Sequence, residues 1–259
     1  MAKLLMTAYS TVCYLFFLGA FLYAIGFVGS LVVPKAIDTG AAGPITTSVL
    51  IDVMLLGAFA VQHSVMARPA FKRWWIKIVP EPLERSTYVL LASLILSLLF
   101  WQWRPLPTKI WNLANSAAGD ILWVGFFTGW GIVLLSTFLI SHFELFGLSQ
   151  AFNHLAGKAG PPPTFRTPLF YRWVRHPIYL GFLLAFWSAP VMTGGHLLFA
   201  VSTTGYILIG IKLEERDLIT QFGDRYRRYV AEVGMLAPRP RRSSSAGANS
   251  AQAVEKIGG

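Results

Sequence analysis

One cysteine occurs in the whole chain of 259 residues. Cys13 stands inside an apolar run, so no disulfide can form within the chain and no cysteine-based metal site can be assembled. Charge is scarce as well. Asp, Glu, Lys and Arg make up 13% of the residues, where an ordinary soluble domain carries about a quarter. Acidic side chains are the rarer kind, 12 against 22 basic ones. Nor is there a glycine-rich dinucleotide fingerprint or an internal repeat of the transporter kind. These shortages argue against a disulfide scaffold, a soluble globular enzyme and a duplicated transporter.

What fills the chain is apolar: 54% of residues are hydrophobic, in long runs that alternate with short basic stretches. That is the pattern of a membrane protein. Five segments are long enough to cross a bilayer as helices: Tyr9–Val33, Ile45–Ala67, Ser86–Trp103, Asp120–Ser141 and Ile178–Leu213. The first is too long for the apolar core of a signal peptide and reads as an uncleaved span. The last is too long for one span. Ala189-Pro190 and Thr193-Gly194-Gly195 break it into a hairpin with arms Ile178–Met192 and His196–Leu213. The expected fold is an all-α polytopic bundle of five to six membrane helices, six crossings being the preferred count and a re-entrant hairpin, crossing incompletely, the alternative that keeps every later assignment of sides. Trp74, Trp75, Trp101, Trp103 and Trp111 flank these runs as an interfacial belt.

The basic residues set the orientation. Lys3, five in Arg68–Arg85, four in His142–Arg175 and nine from Lys212 onward place 19 of the 22 on one side. Both termini are therefore expected in the cytoplasm, with the chain in a bacterial inner membrane. This asymmetry accounts for the net charge of +10 without a nucleic-acid partner. After the last span, Leu218, Phe222, Tyr226, Tyr229 and Val233 recur at helical spacing, which predicts an amphipathic cytoplasmic helix over Glu214–Met235. Pro161-Pro162-Pro163 stiffens a cytoplasmic loop. Three regions follow: 1–141 as the acceptor side, 142–240 as the cofactor side, and 241–259 as a disordered tail.

Chemistry concentrates in Arg172-Trp173-Val174-Arg175-His176-Pro177-Ile178-Tyr179-Leu180-Gly181. Proline suits the first turn of a helix, so Arg175 and His176 fall at the mouth of the hairpin, where free backbone N–H groups can meet a carboxylate. Gly181 leaves room for a ligand or a second backbone. The hairpin returns to the same side at Glu214-Glu215-Arg216-Asp217. Its two adjacent carboxylates suit a ligand with an ammonium group, ribose hydroxyls and a sulfonium. Taken singly, an interfacial anchor and a solvated acidic face would explain these motifs equally well.

With the later run Phe222-Gly223-Asp224-Arg225-Tyr226-Arg227-Arg228-Tyr229 and Pro238, the pattern resembles the cofactor half of the isoprenylcysteine carboxyl methyltransferase superfamily. The upstream stretches Phe21–Pro34, Gln62–Pro69, Glu84–Tyr88, Trp101–Pro105 and Ser141–Leu148 look closest to its methanethiol S-methyltransferase branch. The resemblance covers the chain up to about Pro240. It implies methyl transfer from S-adenosyl-L-methionine to methanethiol, giving dimethyl sulfide. It also implies cofactor contacts at His176, Pro177, Tyr179, Gly181, Glu214 and Glu215, to which position adds Arg175.

Such a reaction needs no metal and no covalent intermediate, but it does need a thiolate. His63, Arg85, Tyr88, His142 and Glu144 all fall at the cytoplasmic boundary, level with His176, and ionisable groups at that depth tend to mark function. His142 or His63 is the expected base, with Glu144 orienting it. Headgroup anchoring is the plainer reading of either histidine. Asp52 is expected to find a partner on a neighbouring helix, and His196 reads as structural. The expected partners are the small thiol and membrane lipids, with no obligate protein partner evident. A prenylcysteine-like carboxylate acceptor is the nearest alternative. An NADPH-dependent membrane reductase and a non-catalytic membrane protein are the others.

Overall fold

The computed structural model describes residues 1–160, 162 and 164–239. Pro161, Pro163 and the tail 241–259 lie outside the described residues. Five helices have membrane length and composition: α1 (Ala2–Gly29), α2 (Ile45–Ala67), α4 (Glu81–Gln102), α5 (Ala117–Ile140) and α9 (Gly194–Phe222). Short helices join them at one end of the bundle: α3 (Pro69–Trp75), α6 (His142–Leu145) and α7 (Leu148–Leu155). A half-length helix, α8 (Pro177–Trp187), precedes α9, and α10 (Asp224–Glu232) follows it. The chain is an all-α integral membrane bundle.

Local chemistry fixes the helix ends. Pro82 sits in the first turn of α4 beside Glu81 and Glu84, where missing N–H groups and negative charge are both favoured. Ser116 caps α5 by accepting the Gly119 N–H at 3.2 Å, and Thr193 caps α9 by accepting the His196 N–H at 3.1 Å. The expected helix over Glu214–Met235 is two pieces. α9 runs on to Phe222, Gly223 turns the chain at φ +56°, and α10 starts afresh at Asp224.

The hairpin departs from expectation as well. Its first arm stops being helical at Trp187, because Pro190 lacks an N–H and disfavours helical backbone before it. Eleven residues of helix reach about 16 Å, roughly half a hydrocarbon core of about 30 Å. The remaining distance is extended chain ending in β2 (Val191–Thr193), which pairs antiparallel with β1 (Lys109–Asn112) from the α4–α5 connection. Leu113 N–H donates to Pro190 O at 2.8 Å, and Gly194 N–H donates to Thr108 O at 2.8 Å. Backbone that leaves a helix near lipid must find partners inside the protein, and this ribbon supplies them.

Near the ribbon the core is aromatic. Phe27, Phe100, Trp103, Phe126, Phe186 and Phe199 form one buried cluster. The tightest helix pair is α5 with α8, crossing on small residues. A Cβ at Gly129 would stand 2.5 Å from Ala185 N and 2.6 Å from Gly181 O, and one at Gly125 would meet Ser188 Oγ. Close backbone approach of this kind is how helices associate where lipid offers no hydrophobic drive. Asp52, fully buried in α2, accepts the Arg104 N–H at 2.8 Å and so ties α2 to the end of α4.

Candidate functional site

Pro177 opens α8 and leaves His176 just outside it. The preceding residues are gripped by the chain beyond α10. Arg175 N–H donates to Gly234 O at 2.8 Å and His176 N–H to Met235 O at 3.2 Å. The buried Arg175 guanidinium then has three tasks. Its Nε donates to Glu215 Oε1 at 2.7 Å, and its Nη1 donates to Val230 O at 3.2 Å and to Val233 O. Those carbonyls belong to the end of α10, where a cation is favoured by otherwise unpaired oxygens.

Around this brace the sequence motif closes into one group. His176 Nε2 lies 3.0 Å from Glu215 Oε1, and its Nδ1 is 3.9 Å from Glu214 Oε2. Tyr179 donates its hydroxyl to the same Glu214 oxygen at 2.9 Å. The Glu214 side chain remains 43% exposed and its second oxygen is uncommitted among the described residues, whereas Glu215 is 18% exposed. The arrangement holds an acceptor open to a polar ligand, backed by a buried pair that fixes it. Tyr229, raised to about 12 by burial, stays protonated and donates to Tyr171 O, locking α10 over the segment that leads into α8.

Two residues expected to touch cofactor are placed otherwise. Arg175 is 7% exposed and committed to Glu215 and α10. Gly181 faces α5, where a Cβ would stand 2.7 Å from Gly129 O and 2.9 Å from Val133 N. It serves the second of the two uses a glycine allows, the approach of another backbone. Pro177 is buried in the start of α8.

On the facing helices, His63 and Tyr88 meet. The Tyr88 hydroxyl lies 3.0 Å from each nitrogen of the His63 ring and can engage one of them at a time. Arg85 stands 5.7 Å from the Tyr88 ring centroid and donates from Nε to Leu145 O at 2.9 Å. α2 and α9 are tied beside this pair. Arg68 Nη1 donates to Asp217 Oδ2 at 2.9 Å, and Ser64 Oγ donates to the Tyr206 hydroxyl at 3.3 Å. The electrostatic neighbours of the Tyr179 hydroxyl are Glu214, Tyr206 and Tyr88, so the two groups border one region. On the nearby α3, burial and then Arg85 pull the Lys72 ammonium below its ordinary range.

His142 belongs elsewhere. Thr137 donates its hydroxyl to Leu134 O at 2.7 Å, so its oxygen accepts from His142 Nδ1 at 2.8 Å. Nε2 then accepts from the Tyr14 hydroxyl at 2.9 Å. Burial lowers the ring's pKa, in keeping with this neutral form. Phe146 packs against the Met66–Tyr88–Val89 cluster and sits 4.9 Å from the His142 ring, dividing the two histidines. Glu144 is exposed, and the groups that hold His142 are Tyr14 and Thr137. Neither partner was among the candidates read from sequence, nor were Ser64 and Tyr206. Tyr206 and Asp217 are eleven residues apart, about three turns, so a shared helix face was available as a signal.

The sequence has relatives. The chain is 59% identical over 236 residues to methanethiol S-methyltransferase 1 of Bradyrhizobium diazoefficiens, covering 91% of this chain and 83% of that protein. It is 55% identical over 242 residues to the methanethiol S-methyltransferase of Mycobacterium tuberculosis, covering 93% and 99%. A second Bradyrhizobium diazoefficiens protein, methanethiol S-methyltransferase 2, is 54% identical over 238 residues, 92% of each chain. No family model matches the chain, and no solved structure matches it. Identity at this level over more than nine-tenths of the chain leaves one conclusion: the chain belongs to the methanethiol S-methyltransferase family.

Proposed function

We propose that this chain methylates methanethiol to dimethyl sulfide with S-adenosyl-L-methionine as donor, from the cytoplasmic face of a bacterial inner membrane with both termini in the cytoplasm. The reading is supported above all by the His176–Tyr179–Glu214–Glu215 group, in which one carboxylate stays open, with the His63–Tyr88 pair among the electrostatic neighbours of Tyr179. When bound, S-adenosyl-L-methionine supplies an activated methyl on a sulfonium, whose carbon–sulfur bond breaks as the thiol sulfur forms its own. Glu214, with one oxygen uncommitted and its side chain half exposed, fits the ammonium or hydroxyl groups of such a donor. His176, Tyr179 and Glu215 would hold it alongside, and Arg175 and Gly181 act behind them as positioning residues.

His63 is the base in this scheme. Tyr88 engages one ring nitrogen and leaves the other to take the thiol proton. The nearby Arg85 guanidinium favours the thiolate that results. His142, with both nitrogens already engaged, has none to offer without breaking its own bonds. The test is detergent-purified protein incubated with S-adenosyl-L-methionine and methanethiol, with dimethyl sulfide measured in the headspace. Product that depends on the donor and disappears in His176→Ala supports the reading. Donor binding without dimethyl sulfide would discard the acceptor, leaving the prenylcysteine-like alternative.

A further inference from the structure

Beside the cofactor group, on the same end of the bundle, the segment 165–172 and α10 enclose an open groove of about 670 Å³. Arg166, Arg172, Arg225 and Arg228 line it, with Tyr229 as its wall and Glu232 as its single carboxylate. Among the described residues none of the four arginines makes an ion pair. Arg225 donates to Phe165 O at 3.1 Å and lies over the Phe165 ring, so it is held in place with donors to spare. Arg166, Arg172 and Arg228 are exposed. Four guanidiniums gathered round one concavity repel one another unless an anion sits among them, and their forked donors match phosphate oxygens.

Apolar side chains flank the basic ones. Leu169 is 52% exposed and Trp173 is 59% exposed, either side of Arg172 and immediately before the membrane-entering α8. A tryptophan and a leucine bracketing an arginine at a helix mouth suit the boundary between headgroups and acyl chains. A basic groove of about 670 Å³ is far larger than a free phosphate needs, and exposed Leu169 and Trp173 lie in the chain beside its lining residues Pro168 and Arg172, which suits a lipid headgroup better than a free anion.

We propose that this groove binds the headgroup of an anionic phospholipid of the adjoining leaflet, with Leu169 and Trp173 set against its acyl chains. The proposal rests on the cytoplasmic placement of this face but not on the identity of the methyl acceptor. Tyr229 links groove to site: it walls the groove and donates to Tyr171 O. The bound lipid therefore steadies α10, whose terminal carbonyls hold Arg175 and through it Glu215.

The experiment is native mass spectrometry of the full detergent-purified chain, titrated in parallel with phosphatidylglycerol and phosphatidylcholine. Each basic residue near an anionic leaflet contributes roughly a fivefold factor in affinity. Arg166→Gln with Arg228→Gln is therefore expected to weaken phosphatidylglycerol binding about twenty-five-fold while leaving phosphatidylcholine unchanged. Both positions are exposed, and an unchanged melting temperature in detergent confirms that the variant folds. Arg73→Gln with Lys77→Gln removes the same charge at α3 and just beyond it, outside the groove's lining, and is expected to leave binding within twofold. Equal retention of the two lipids, or equal loss in both double variants, overturns the proposal. So does full displacement of phosphatidylglycerol by inorganic phosphate, which would make the groove a free-anion site. Lipid binding is read without methanethiol, so a chain inactive toward that thiol can still pass or fail this test.

Discussion

His63→Gln separates the two histidines that the sequence could not rank. A free cysteine thiol, with a pKa near 8.5, is only a few per cent thiolate at neutral pH; a simple alkyl thiol, without the electron-withdrawing backbone, is less ionised still, and a positioned base contributes about 10²- to 10⁴-fold to a proton-coupled step. Glutamine keeps much of the ring's bulk and can still bond Tyr88, but it takes no proton. The rate of the variant is therefore expected to fall at least about a hundredfold at neutral pH. Its remaining activity should then track free thiolate, rising about tenfold per pH unit below the thiol's own pKa, while the parent profile stays flatter. His142→Gln should behave differently. Its amide can keep one of the bonds to Tyr14 and Thr137, which sit on opposite ring nitrogens, but is expected to lose the other in a buried setting, a loss of about 1–3 kcal/mol in stability, with the pH profile of the rate unchanged. Headspace chromatography of dimethyl sulfide over a pH series, with thermal unfolding in the same detergent, reads both effects. If His63→Gln stays within twofold of the parent with the same pH profile, the assignment of the base is wrong. If His142→Gln alone changes that profile, the proton leaves through Tyr14 and Thr137 instead.

Three further outcomes follow from contacts described above. Arg175→Gln removes the cation shared by Glu215, Val230 and Val233; breaking a buried pair from one side costs about 3 kcal/mol, and thermal unfolding should register it even without substrate. Gly129→Ala places a methyl against Ala185 N and Gly181 O; both are backbone atoms, so overpacking of about 1–3 kcal/mol is expected in the same assay, whereas Gly131→Ala, with open space at its Cβ, should be silent. Tyr179→Phe deletes the donor that positions Glu214; thermal unfolding should register up to about 1.5–3 kcal/mol, the worth of one bond to a charged group, and S-adenosyl-L-methionine binding, measured by calorimetry, is expected to weaken about tenfold.

Much of the bundle is legible in the sequence because hydrophobicity reports depth in lipid. The expected second span, Ile45–Ala67, coincides with α2, since Pro44 and Arg68-Pro69 punctuate both of its ends. Hydrophobicity does not report backbone conformation, and that is where the reading of the hairpin erred. Val191 and Met192 are as apolar as the helix before them, yet they lie in a strand paired with β1. The His176, Tyr179, Glu214 and Glu215 group could be assembled because a hairpin returns one arm beside the other. Partners distant in the chain could not: Tyr14 and His142 are 128 residues apart, and no local pattern joins them. Glu144 was placed with His142 for nearness in sequence, but helical geometry turns side chains two positions apart to different faces. Gly181 leaves room for a ligand or a second backbone, and only the family resemblance favours the ligand; Gly125 and Gly129, four residues apart on α5, mark a helix that accepts a close neighbour.

The ribbon between β1 and β2 also constrains the order in which the protein can be built. A membrane-entering hairpin whose first arm is half helix and half extended chain carries backbone groups that lipid cannot satisfy. Those groups find their partners in the connection between α4 and α5, which leaves the ribosome earlier. The hairpin therefore has no stable place in the bilayer until the first four long helices are assembled and β1 is presented to it. Insertion of the hairpin becomes a templated step, and a chain with a damaged β1 should stall with its last helices exposed to quality-control proteases while its N-terminal helices sit normally in the membrane.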